Sequence, residues 1–170
     1  MIKPSLSAGV FALLLSACSS SVIQSNHHYM LTDPSDATTS YLANSHVQVV
    51  VKLPDYLKTP YFTMLNDSHQ VHYAQAHKWA EPLDKAIAKA VKLAWHDHVQ
   101  NDALLNAKEE MVVDIDYFHV TQSGKVRFVG KLTVQEKAIQ FNLERRLPAD
   151  GYQVAVKEMN LIIKDMLASL

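Results

Sequence analysis

Three groups of side chains in this 170-residue sequence have types and spacings that could do chemistry. The first is the nine histidines. His96-Asp97-His98, on a helix, would set its two imidazoles about 200° apart, a poor chelate. His69 and His72, three apart in an expected strand, would point to opposite faces. His27-His28 falls where a leader would join a domain. No metal site is therefore expected, and the histidines read as solvated or half-buried. A pH-responsive surface is a use they retain, since imidazole titrates near neutrality. The second group is Asp114 and Asp116, which could share acid–base work as paired carboxylates do in glycosidases. The pattern around them points elsewhere: Val113, Ile115 and Tyr117 alternate as a core row, which leaves both aspartates facing water. The third group is the serines, and no Gly-x-Ser-x-Gly elbow activates any of them. Four glycines, Gly9, Gly124, Gly130 and Gly151, cannot build a phosphate-cradling loop either. The expectation is a chain with no catalytic residues and no cofactor, not an enzyme.

Charge excludes another class. Sixteen basic residues against seventeen acidic ones leave a formal charge of −1. No basic cluster is present to release counterions from a phosphate backbone, so nucleic acid is not an expected partner.

One residue remains whose chemistry has a place to act. Cys18 is the single cysteine, so an internal disulfide is impossible and stability must come from apolar burial. It follows Met1-Ile2-Lys3, an apolar run from Ala8 to Leu15, and two small residues. About eight apolar residues span about 12 Å as a helix, far short of the roughly 30 Å hydrocarbon core but suited to a secretory signal. The tetrad Leu15, Ser16, Ala17, Cys18 resembles the bacterial lipobox. The thiol is what a diacylglyceryl transferase needs, and small residues are what the signal peptidase must fit. Acyl chains such as palmitate at the new terminus would then make a firm membrane anchor. Ser19 after the cysteine favours sorting to the outer membrane. The expected organisation is a signal peptide over 1–17, a lipidated cysteine and short polar tether over 18–27, and a single periplasmic domain over 28–170. Eight tether residues, Ser19 to Asn26, reach about 25–30 Å at full extension, so the domain stays near its bilayer.

The elements that follow come from periodicity. His46 to Leu53 alternates as a strand, and Pro54 and Pro60 make the next segment extended or turning. Tyr61–Leu65 and Gln70–Ala74 flank Asn66-Asp67-Ser68 as a hairpin. Pro82 suits the first position of a helix whose Leu83, Ile87, Ala90, Val91 and Ala94 share one face, with Trp79 and Trp95 as core anchors. Gln100 to Glu110 is polar and poorly patterned. Met111–Thr121 and Lys125–Glu136 read as strands joined at Ser123-Gly124, with Val126, Phe128, Gly130, Leu132 and Val134 in one row. Ile139, Phe141, Leu143 and Leu147 carry a third strand. Asp150 with Gln153 looks like a capping box opening a helix whose Tyr152, Val156, Met159, Ile163 and Met166 face the core. The fold class expected is α+β: an antiparallel sheet with two amphipathic helices packed on one face.

Particular segments add a resemblance. Leu53-Pro54-Asp55-Tyr56-Leu57 with Pro60, Trp79-Ala80-Glu81-Pro82-Leu83, Phe141-Asn142-Leu143, and Leu147-Pro148-Ala149-Asp150-Gly151-Tyr152 resemble the PqiC/YmbA-type family of ABC-transport auxiliary lipoproteins. The likeness runs from about Tyr29 to the end. It implies a non-catalytic subunit, lipid-anchored in the outer membrane and facing the periplasm, that maintains envelope integrity. Its implied partners are an MCE-type tunnel protein with its inner-membrane components and, through the acyl anchor, outer-membrane lipid; self-association as a ring around the tunnel end is left open by the sequence. An alternative is a carrier that itself holds an acyl chain between sheet and helices. Those apolar residues do not decide it, because an ordinary core needs the same ones.

Overall fold

The computed structural model describes residues 25–33, 47–98 and 110–169. The lipobox, most of the tether and the polar stretch after the first helix lie outside the described residues.

The helical stripes read from the sequence are the buried faces. Leu83, Ile87, Ala90, Val91 and Ala94 are buried in α1 (Leu83–His98). Ala155, Met159, Ile162, Ile163 and Met166 are buried in α2 (Tyr152–Ala168), with Tyr152 and Val156 packed at its edge. Each helix thus has one wet face and one dry one, and the dry faces meet the sheet and each other. Trp79 is core, and Trp95 packs half-buried against it. The opening of α2 departs from the expected capping box. Gly151 is the N-cap, with φ of 125°, and no side chain caps the helix.

Among the described residues seven strands form one sheet: β1 (His27–Tyr29), β2 (Gln48–Lys52), β3 (Tyr61–Leu65), β4 (Val71–Trp79), β5 (Glu110–Thr121), β6 (Lys125–Val134) and β7 (Lys137–Arg146). The sheet is mixed. The hairpins β3–β4, β5–β6 and β6–β7 are antiparallel as expected, while β1 on β4, β2 on β5 and β3 on β5 are parallel. Alternation sets which side chains face inward but carries no direction of pairing. Parallel pairing needs a long crossover, and for β2 and β3 onto β5 that crossover runs through β4 and α1. His69 sits in the β3–β4 turn at φ 62° rather than in a strand. At the β5–β6 turn Gly124 takes φ 71°, which glycine adopts without a Cβ clash.

The long β5 strand organises the molecule. One edge pairs with β6; the other is shared between β2 at residues 110–114 and β3 at residues 120–121. The gap between them is filled by a single 3-10 turn, Asp55–Leu57. There the Tyr56 hydroxyl donates to the Asp116 carbonyl at 3.0 Å, and burial pushes its phenol up to about 12. Asp116 needs that partner because β5 bulges: the register shifts between Ile115 and Tyr117. The bulge reverses the alternation. Met111, Val113 and Ile115 are buried before it, Phe118 and Val120 after it, and Tyr117 is turned out to 42% exposure instead of facing the core. Tyr56→Phe should lower stability by about 1 kcal/mol, the usual cost of one hydrogen bond. In denaturant the midpoint should fall at unchanged slope.

Candidate functional site

A cleft of about 700 Å³ lies where β2 ends, the 3-10 turn follows, and β4 hands over to α1. Two chain segments build it. From the first come Val51, Lys52, Leu53, Leu57, Lys58, Thr59 and Pro60; from the second, Trp79 through Asp84. Proline makes both segments. Pro54 starts the 3-10 turn, where the Leu57 amide donates to the Pro54 carbonyl at 3.0 Å and the Lys58 amide to Asp55 at 3.1 Å. Pro82 occupies the opening of α1, and its carbonyl accepts from the amides of Lys85 and Ala86, both at 3.0 Å. The segments are tied together by the Trp79 amide donating to the Pro60 carbonyl at 2.7 Å.

The floor is apolar and fixed. Leu57, Trp79 and Leu83 are buried, and Phe62 stacks on Trp79 with ring centroids 5.2 Å apart. The rim is charged and, apart from Lys52, its charges are paired. Lys58 bonds Asp55 at 2.7 Å, an interaction that holds the Asp55 carboxyl below its ordinary value. Lys89 bonds Glu81 at 2.8 Å, and Lys85 stands 3.8 Å from Asp84. An apolar floor with a paired polar rim is the composition of a surface that holds another molecule's apolar segment.

The groups singled out for chemistry are not brought to this cleft. Cys18 and the rest of the tetrad, Leu15, Ser16 and Ala17, lie outside the described residues. Asp114 is half-buried with Lys131 as its register partner, and Asp116 is exposed on the bulge. His69 and His72 are exposed in and beside the β3–β4 turn, while His27 and His77 lie together at the β1–β4 edge. Among the described residues no group of three histidines or carboxylates could hold a metal ion, and no helix is long and apolar enough to cross a membrane. The cleft itself was not visible as a site from the sequence. The signal available was that two of the four resemblance segments, each containing a proline beside apolar residues, are the ones that meet there.

These features define an α+β domain with a cleft built from non-contiguous proline turns. Residues 29–170 match the family described as the ABC-type transport auxiliary lipoprotein component, and the chain belongs to that family. The match bears out the resemblance read from the sequence. No curated protein matches. Among solved structures, an uncharacterized protein superposes with a TM-score of 0.68 at 22% identity, covering 85% of this chain and 95% of its own. Protein XCC0632 from Xanthomonas campestris, a DUF330 family protein, superposes at 0.57 and 12% identity, covering 72% of this chain and 79% of its own. At those identities the two show the fold.

Proposed function

We propose that the chain is a lipoprotein anchored through Cys18 to the outer membrane. There it acts as a non-catalytic subunit of an MCE-type lipid transport system, docking the periplasmic tunnel protein against that membrane. The observation that carries this reading is the family match, which spans the whole domain after the tether. The cleft supports it, because an auxiliary component needs a surface for a partner rather than a reaction centre. An acyl-chain carrier finds less support. The space between sheet and helices is occupied by one continuous buried cluster that includes Phe118, Phe128, Ile162 and Ile163.

The test uses the full-length, processed protein in membranes. A photo-crosslinking residue placed at Lys58 or Asp84, on the cleft rim, should capture an MCE-type protein. The same residue at Lys137, at the start of β7, should not. Capture of no such partner from either rim position, with the protein correctly localised, removes the docking reading. In parallel, Cys18→Ser should move the protein from the membrane pellet to the soluble fraction. A variant that stays as firmly membrane-bound removes the anchor.

A further inference from the structure

The β1 strand joins the tether to the sheet through three residues only, pairing His27 with His77, His28 with Lys78 and Tyr29 with Trp79. Three residues of parallel pairing are little to hold an edge strand. What adds to them is a column of rings. His27 stacks on His77 at 5.2 Å, His77 stacks on Tyr152 at 3.6 Å with planes 13° apart, and Tyr29 stacks on Tyr152 at 6.0 Å. The Tyr29 hydroxyl lies 2.8 Å from His77 Nδ1, and the Ala80 amide donates to the Tyr29 carbonyl at 2.8 Å.

We propose that this column is an acid-released clasp: protonation of His77 within it frees β1 from the sheet while the rest of the domain stays folded. Two neighbours of His77 disfavour a cation there, the His27 ring and the N-terminus of α2. From β1, His27 stacks on it as a second imidazole, with its own Nε2 3.1 Å from the Ser25 hydroxyl. His28 is paired with Lys78, and Lys78 stands over the Tyr61 ring of β3 at 5.5 Å. From α2 comes Tyr152 at the helix N-terminus, the positive end of the helix dipole. That first turn carries no acidic residue and no side-chain cap. In the neutral ring Nδ1 can accept from the Tyr29 hydroxyl, and with a proton on Nδ1 the bond reverses, the hydroxyl oxygen accepting, so the acid-sensitive contact is the stack of His77 between His27 and the N-terminus of α2.

Burial, and then the His27 charge, hold the His77 imidazole below its ordinary value. A group held down in the folded state contributes fully above the ordinary imidazole value of about 6.5. The contribution is lost as pH falls through the folded-state value, so release occurs on the acid side of neutrality. If Cys18 is the anchor, release adds the three residues of β1 to the tether, on the order of 10 Å of reach. That consequence rests on the anchor reading, but the release itself does not.

Hydrogen-exchange mass spectrometry on the full-length protein in detergent reads the clasp directly, with exchange times scaled for the intrinsic pH dependence. Between about pH 7.5 and about pH 5, a peptide covering residues 25–33 should lose protection several-fold, while peptides from β6 and β7 keep theirs. His77→Phe, which retains a stacking ring and has no proton to gain, should keep β1 protected at both values. Equal protection of wild-type β1 at the two values overturns the clasp. So does equal acid loss in β6 and β7, or a loss in His77→Phe matching the wild type. The readout is within the chain, so it is independent of whether Cys18 anchors the protein.

Discussion

Gly130→Ala is expected to destabilise the domain by about 3 kcal/mol, at the upper end of what one added methyl costs in a packed core. Gly130 lies in the helix-facing row of β6, opposite Ile115 on β5 and Phe141 on β7. A Cβ there would overlap the Asp114 carbonyl oxygen, and it would lie 2.9 Å from Phe141 Cζ and 3.1 Å from the Ile115 Cα. The Phe141 ring can shift, but two of the three obstacles are backbone. They stand there because β5 bulges just beyond Ile115, so relieving the overlap means undoing the bulge. That would also detach the Tyr56 hydroxyl from Asp116. A loss of about 3 kcal/mol in a domain of this size lowers Tm by roughly 6–12 °C. Thermal and denaturant unfolding of Gly130→Ala against wild type measure it. A variant within about 0.5 kcal/mol of wild type would mean that the strands separate easily here and that the bulge is not fixed by the glycine.

The same bulge marks the border between what local pattern could reveal and what it could not. Helix faces depend on the spacing of residues within one segment, and there the reading of Leu83 to Ala94 and of Met159 to Met166 coincides with the buried residues. The β6 row of Val126, Phe128 and Leu132 coincides as well. Beyond Ile115 the alternation of β5 inverts, because an extra residue is inserted against a partner strand. Nothing in Asp114 to Tyr117 signals that insertion. Gly130 is its trace, a glycine where the row calls for a large side chain, and it becomes intelligible only once β5 is laid beside it. The parallel joins at β5 and β4 escaped for the same reason: direction belongs to pairs of strands, not to either one. The cleft is non-local too, since Leu57 and Trp79 meet only because the β3–β4 hairpin folds the Pro60 carbonyl onto the Trp79 amide. The α2 cap shows a local pattern failing on its own ground. Asp150 has the residue type of a cap, but the chain enters the helix one residue later through Gly151 at φ 125°.

Stability should fall by about 3 kcal/mol as the pH is lowered from about 6.5 to about 4, and His119→Phe should remove most of that fall. His119 lies on β5 beyond the bulge, on the face away from the helices, yet it is only 1% exposed. Its register partner on β6 is Arg127, whose guanidinium sits over the Tyr117 ring at 5.3 Å, while that ring meets the His119 ring edge-on at 5.7 Å. Neither ring nitrogen of His119 finds a hydrogen-bond partner among the described residues. Burial first, and the Arg127 charge second, push the imidazole down to about 4. The folded state therefore holds it neutral while the unfolded chain takes a proton near 6.5. Its contribution is complete above about 6.5 and is spent once the folded form protonates at about 4. Denaturant unfolding at a series of pH values gives the wild-type curve, and the difference from His119→Phe isolates this residue from carboxylates such as Glu144, which Lys125 holds low. Parallel curves for the two proteins would show that the ring is solvated or paired in solution, and the argument from burial would fall. The two histidine sites then divide the acid response between them. The β1 column loosens locally on the acid side of neutrality, and His119 weakens the whole domain as the pH approaches 4, so mild acid should free β1 before it threatens the fold.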